Sequence, residues 1–271
     1  MLLTIFLLFA NWYYFPSDSP STPVKIESLD LKLKEDELAF TFFSLTDGEA
    51  TLIQHPNGET VLINSGGTMT KSETKMLLEL YEIKEIPKVV LTNDQKSNIQ
   101  NLKWLMDEYH VKEVYTIEST AAKINPNEAV SLFIWNEGTT QEILPGVSIE
   151  VLNVEKDMDL SVEFLDNRVL FLNSVNQSSE KKLLAQQFAS TKIVQFGSYG
   201  NKHFISDELI KHLDPQIAIF FHEKNKKPEQ ELIQRLAEAW IDVYQAKRHG
   251  TIIIKFTDNN YEVLTIANEE K

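Results

Sequence analysis

Short runs of β-branched and aromatic residues recur along this chain in two batches, each followed by helical periodicity, and that order most narrows what it can fold into. Residues 38–44 (LAFTFFS), 50–54 and 60–64 (TVLIN) read as an antiparallel meander, with His55-Pro56-Asn57-Gly58 as a turn. Beyond the break at Ser65-Gly66-Gly67, Met76, Leu77, Leu80 and Tyr81 predict a helix over 71–81. A buried-type strand at 89–92 follows, then an amphipathic helix over 98–109 through Ile99, Leu102, Leu105 and Met106. Strands resume at 114–117, 131–135, 148–154, 162–165 and 168–172. Helices over 180–188, 207–213 and 229–240 then alternate with strands at 193–196 and 217–221, and 242–244, 251–256 and 261–266 read as a closing meander. Two sheets packed face to face with helices outside would bury all of this, although periodicity leaves another mixed α+β layout open.

At 271 residues one large domain is the default. Residues 38–271 are assigned to it, and 17–37 to a linker and lead-in that begins turn-rich and polar at Ser17-Asp18-Ser19-Pro20. Ahead of these, 1–10 is apolar except for Thr4, and Trp12, Tyr13, Tyr14 and Phe15 follow. As a helix, the stretch before Pro16 would span about 22 Å, short of the roughly 30 Å hydrocarbon core. Its aromatic end suits a membrane interface, and no Lys or Arg precedes it as in a secretory signal. The expectation is that 1–16 is a membrane anchor, or the tail of a longer membrane segment, with the domain outside the cytoplasm; the other reading is a core element of a soluble domain. The absence of cysteine excludes disulfides, thiolate metal sites and a cysteine nucleophile. A net charge of −14 argues against strong nucleic-acid binding.

Several segments, in order over about 38–266, resemble the metallo-β-lactamase-like domain that ends the competence protein ComEC. Phe42-Phe43-Ser44-Leu45-Thr46-Asp47-Gly48-Glu49-Ala50-Thr51-Leu52-Ile53 matches that family's FLDVGQGDATLI without a gap. Pro56-Asn57-Gly58 and Val61-Leu62-Ile63-Asn64-Ser65-Gly66-Gly67 match its P-x-G turn and ILIDTGG. Leu91-Thr92-Asn93-Asp94-Gln95-Lys96-Ser97-Asn98 stands where it has LTHPHADH, Leu170-Phe171-Leu172-Asn173-Ser174 where it has LLTGD, and Gly197-Ser198-Tyr199-Gly200-Asn201 where it has GHHGS. Trp240-Ile241-Asp242-Val243-Tyr244 and Gly250-Thr251-Ile252-Ile253-Ile254 match its last segments. The resemblance implies a four-layer αββα sandwich, an α+β fold.

It also implies zinc ligands that this chain lacks. Where the family carries His and Asp, this sequence has Asn93, Gln95, Ser97, Asn98, Ser174 and Ser198, with Ser44 and Asn64 replacing two further Asp residues. Amides and hydroxyls are poor zinc donors, so the expectation is no metal, no other cofactor and no metal-dependent catalysis. None of His55, His110, His203, His212, His222 and His249 forms an HxH or HxxxH pair, and solvated or capping roles are expected of them. A residual polar pocket is expected around Ser44, Asn64, Asp94, Tyr199, His203 and His222. A metal-free Ser-His-Asp hydrolase built from Ser198, His203 or His222 and Asp94 is set aside, since Gly197-Ser198-Tyr199-Gly200 is not a nucleophile elbow. The run Glu223-Lys224-Asn225-Lys226-Lys227 reads as a solvated loop, and Trp104, Trp135 and Trp240 as core.

The function expected is a catalytically inactive binding or structural module, attached to a membrane and serving a protein partner the sequence does not name. The alternatives are a metal-dependent hydrolase or phosphodiesterase with a non-standard site, and a ligand module in DNA uptake or envelope work.

Overall fold

Strand β1 (Leu38–Phe42) sets the pattern: Leu38, Phe40 and Phe42 enter one apolar core, and Phe43, just past its end, enters another. The structure is a computed structural model describing residues 28–126, 129–174, 176–188, 190–197, 205–221, 229–258 and 260–267. After β1 come β2 (Thr51–Gln54), β3 (Thr60–Ile63), α1 (Lys71–Leu80) and β4 (Lys88–Val90). Next are α2 (Lys96–Ile99), α3 (Leu102–Glu108), β5 (Glu113–Thr116), α4 (Glu118–Ala121) and β6 (Ser131–Ile134). The second half opens with β7 (Thr140–Leu144), β8 (Val147–Val154), β9 (Met158–Phe164) and β10 (Asn167–Leu172). It continues through α5 (Gln177–Ala185), β11 (Thr191–Phe196), α6 (Asp207–Leu213), β12 (Ile217–Phe220) and α7 (Gln230–Glu238). It closes with β13 (Asp242–Gln245), α8 (Ala246–His249), β14 (Thr251–Phe256) and β15 (Tyr261–Ile266).

Among the described residues these strands form two sheets, in the orders β15-β14-β1-β2-β3-β4-β5-β6 and β13-β12-β11-β10-β9-β8-β7. Each is half antiparallel and half parallel: β3 to β6 run parallel in the first, β10 to β13 in the second. The period of two decides the layers. Val61, Ile63, Val90, Ile252 and Ile254 meet Ile149, Val151, Leu160, Val169 and Phe171 in the core between the sheets. Their neighbours Leu62, Val89, Leu91 and Ile253 turn outward onto Leu77, Leu78, Leu102 and Leu105 of α1 and α3. Leu170, Leu172, Val194 and Phe220 turn outward onto Leu183, Leu209, Leu232 and Leu236 of α5, α6 and α7. The result is the αββα sandwich.

Several details depart from expectation. Strand β13 continues the second sheet beside β12 and is no part of a closing meander; only β14 and β15 form the hairpin, beside β1. The helix expected over 98–109 is broken into α2 and α3 at Gln100–Asn101, because Asn101 turns inward and its Nδ2 donates to Ser65 O at 2.9 Å and Thr70 Oγ1 at 3.0 Å. In α1 the buried face runs through Thr74, Leu77 and Leu78, leaving Met76 57% exposed. Trp135 is buried, but Trp240, just past the end of α7 at φ +62°, is 94% exposed and is not core. The described part of the lead-in packs against the domain: Leu29 N donates to Leu80 O at 2.7 Å, and Leu29 and Leu31 lean on the helix-side core. The anchor expected at 1–16 lies outside the described residues. No helix among the described residues is long and apolar enough to cross a membrane.

Candidate functional site

Parallel strands deliver their C-terminal ends to one edge of a sheet, and ligands commonly bind at such edges. Here Asn64 to Gly67 follow β3, Leu91 to Gln95 follow β4, and Asn173 and Ser174 follow β10. The loop between β1 and β2 is pressed against the first two. Gly66 N donates to Glu49 O at 2.8 Å, Gly67 N to Asp47 O at 3.0 Å and Glu49 N to Ser97 O at 3.2 Å. Gly48, at φ +88°, makes this approach possible, since a Cβ there would lie 1.8 Å from Ser97 O.

The polar side chains singled out from the sequence are largely spent on holding these loops. Asn64, itself at φ +59°, accepts on Oδ1 from Thr92 N at 3.0 Å and Thr92 Oγ1 at 3.1 Å, and its Nδ2 reaches Glu49 at 3.5 Å. Asn93 accepts on Oδ1 from Gln95 N at 3.0 Å, closing a side-chain turn. Gln95 Nε2 donates to Asp157 at 3.4 Å. Asp94 forms an ion pair with Lys123. Ser44 Oγ donates to Ala246 O at 2.7 Å. Asn98 is buried; its carbonyl accepts from both Ser65 N and Ser65 Oγ, while its Oδ1 has no hydrogen-bond partner among the described residues. Ser97 is half-buried and contributes its carbonyl. Ser198, Tyr199, His203 and His222 lie outside the described residues.

The centre of the polar network is a residue that sequence reasoning missed. Asp159, on β9, is fully buried and accepts from Asn173 N at 2.6 Å, Ser174 N at 2.8 Å and Ser174 Oγ at 2.5 Å. Asn153 Nδ2 donates to Ser174 Oγ at 2.8 Å and lies 3.5 Å from Asp159. Lys182 Nζ reaches Asn153 Oδ1 at 2.8 Å and Glu137 at 2.7 Å. Burial pushes the Asp159 carboxyl up from 3.8 to about 6, and the hydrogen bonds from Ser174, Asn173 and Asn153 pull it part of the way back. A Cβ added to Gly197 would lie 2.4 Å from Asn173 Oδ1, so the strand end after β11 closes over the same spot.

Beside Ser174 opens a shallow pocket of about 270 Å³, lined by Glu155, Lys156, Asp157, Ser174 and Asn176. Asn176 caps α5 and donates to Glu155 at 2.7 Å and Ser174 O at 2.9 Å. Of the former-ligand positions this pocket is lined by Ser174, and Ser44, Asn64 and Asp94 do not line it; Tyr199, His203 and His222 of the expected pocket lie outside the described residues. Of the described histidines, His249 accepts on Nδ1 from Gln245 N at 2.9 Å at the start of α8, a capping role. His212 contacts Gln186 O at 2.8 Å.

A divalent ion needs several lone pairs converging on one point. Here Asn64, Asn93 and Ser174 direct theirs at neighbouring donors, and the Ser174 hydroxyl donates a hydrogen bond to Asp159. Among the described residues no group of three or more His, Cys, Asp or Glu is placed to hold a metal ion. These residues do not fit the zinc centre that the resemblance implies.

No protein-family model and no curated protein sequence matches the chain. Solved structures do match. A metallo-β-lactamase fold protein, YhfI from Bacillus subtilis, superposes with a TM-score of 0.62 at 12% identity, over 82% of this chain and 100% of that one. Igni18, a metallo hydrolase from Ignicoccus hospitalis, gives 0.57 at 14% identity, over 82% and 100%. A diphosphatase of the PhnP family gives 0.54 at 15% identity, over 85% and 99%. At such identities the likeness establishes the fold: this chain has the metallo-β-lactamase fold.

Proposed function

We propose that this metallo-β-lactamase-fold chain is a degenerate relative of the domain that ends ComEC, one that serves as a binding or structural module and performs no metal-dependent hydrolysis. The observation that carries the reading is the Ser174–Asp159 contact. Where the resemblance expects a carboxylate bridging two ions, a hydroxyl instead donates inward to a buried carboxylate at 2.5 Å. Neutral amides around it accept and donate among themselves, which costs less than a cluster of unpaired anions. What the described site offers a ligand is polar contact at the pocket lined by Glu155, Lys156, Asp157, Ser174 and Asn176.

Metal analysis of freshly purified full chain tests this reading. Only traces of zinc, manganese and iron are expected, and a stoichiometric ion would overturn it. The competing reading is a metal-dependent phosphodiesterase, favoured by the two carboxylates, Glu155 and Asp157, beside the pocket. It requires turnover of a phosphodiester that a chelator abolishes and that Asp157→Asn also removes.

We further propose that 1–16 attaches the domain to a membrane, outside the cytoplasm. Deleting it should move the chain from the membrane fraction to the soluble one; retention would refute the attachment. Weak nucleic-acid binding follows from the −14 charge. Tight, salt-sensitive binding of single-stranded DNA would contradict it.

A further inference from the structure

Among the described residues strand β6 is an edge strand of the eight-stranded sheet, paired with β5 on one side. Ser131 N donates to Lys112 O at 2.8 Å and Trp135 N to Thr116 O at 2.8 Å, so the odd-numbered residues turn their backbone groups toward β5. Leu132 and Ile134 therefore turn their N–H and C=O groups away from the sheet. Phe133 and Ile134 are each 42% exposed. Such an edge is a template for another strand, and folded proteins usually blunt it with charge, proline or a bulge. The remaining edge strands of the two sheets carry a carboxylate each, Glu262 on β15, Glu142 on β7 and Asp242 on β13. By contrast, residues 130–136 (VSLFIWN) hold no charge and no proline, in a chain of net charge −14.

We propose that β6 pairs antiparallel with β6 of a second copy of this chain, about a two-fold axis at Phe133, joining the two eight-stranded sheets edge to edge. The axis is fixed by the hydrogen-bonding pattern. It sets Leu132 opposite the partner's Ile134, and these are the residues whose backbone groups face outward, so each pair exchanges both of its bonds. Phe133 meets the partner's Phe133 as a non-hydrogen-bonded pair, the closer kind, at about 4.5 Å between Cα atoms. Phe133 already stacks on Tyr115 with ring centroids 5.0 Å apart, and Tyr115 packs on Trp135 at 4.8 Å, so the pairing carries an aromatic row across the axis.

The seam itself sets no like charges face to face in a second copy, although each copy carries a net charge of −14. The uncharged run is centred on Phe133, so the axis lays it against its own copy. A second copy supplies an apolar, uncharged edge of matching length, whereas a basic partner would gain no electrostatic attraction from the run itself.

The chain contains no cysteine, so a single introduced thiol reports unambiguously. In the full chain, Phe133→Cys should convert under mild oxidation to a reductant-sensitive dimer, because the pair spacing falls within disulfide reach. Leu264→Cys, on the β15 edge and 41% exposed in the parent residue, should stay monomeric at the same concentration. Phe133→Lys and Phe133→Glu should each sediment as monomers, and an equimolar mixture of the two should restore the dimer. Circular dichroism matching the parent chain confirms that each variant folds. Cross-linking of Phe133→Cys no faster than Leu264→Cys would overturn the proposal. So would a dimer that Phe133→Lys leaves intact, since that would put the contact elsewhere.

Discussion

Asp159 is the residue whose surroundings make its charge expensive. Its carboxyl is raised to about 6 by burial, against 3.8 for the free group, so the folded state holds a proton that the unfolded chain has released. The stability this proton confers is complete below about pH 4 and is lost as pH rises through about 6, a change of about 3 kcal/mol. Asp159→Asn removes that titration, though its amide must then turn Ser174 Oγ from donor to acceptor. The parent chain should therefore lose stability relative to Asp159→Asn between about pH 4 and 7 in denaturant titrations. A pH-independent difference would refute the assignment. The sequence did not reveal this residue. Apolar patterning begins this strand at 162 and leaves Asp159 ahead of it; only the contacts from Asn173, Ser174 and Asn153 show that its side is closed. Asn93, Asn64 and Ser174 were legible because they occupy fixed places in motifs. The hydrogen bonds that occupy their oxygens depend on contacts far along the chain and were not.

At the scale of elements, Asn101 does the work of a splice. Its amide ties the break between α2 and α3 to Ser65 O and Thr70 Oγ1, in the loop that follows β3 and at the start of α1. Asn101→Ala leaves a buried carbonyl without a donor and should cost about 1–3 kcal/mol in chemical denaturation. A loss below a few tenths would show that water or Gln100 takes over. Most strands could be placed from apolar runs, since a strand buried on both faces carries apolar residues with little alternation. Strand β7 was missed because Thr140, Gln141 and Glu142 are exposed at a sheet edge and leave no apolar period. Strand β13 was visible but set beside the wrong neighbour. Its partner β12 is fixed by the crossover through α7, and a crossover leaves no mark in either strand's own composition.

In the molecule as a whole, the two sheets share one core and should unfold together. Phe42, from the first sheet, has its ring 6.3 Å from Phe171 and 6.1 Å from Phe221, both from the second. Phe42→Ala should cost about 3–5 kcal/mol. Tryptophan fluorescence and far-ultraviolet circular dichroism should still report a single transition, moved to lower denaturant. Two separated transitions would mean that the sheets are independent units. The hydrogen bonds gathered on Asp159 carry a consequence for supply. Amides and a hydroxyl hold the loops of the described structure, and on the metal-free reading proposed above its assembly should need no inorganic ingredient. A cell starved of zinc should fill this fold as readily as a replete one, and the thermal midpoint should be the same in chelator as in added zinc.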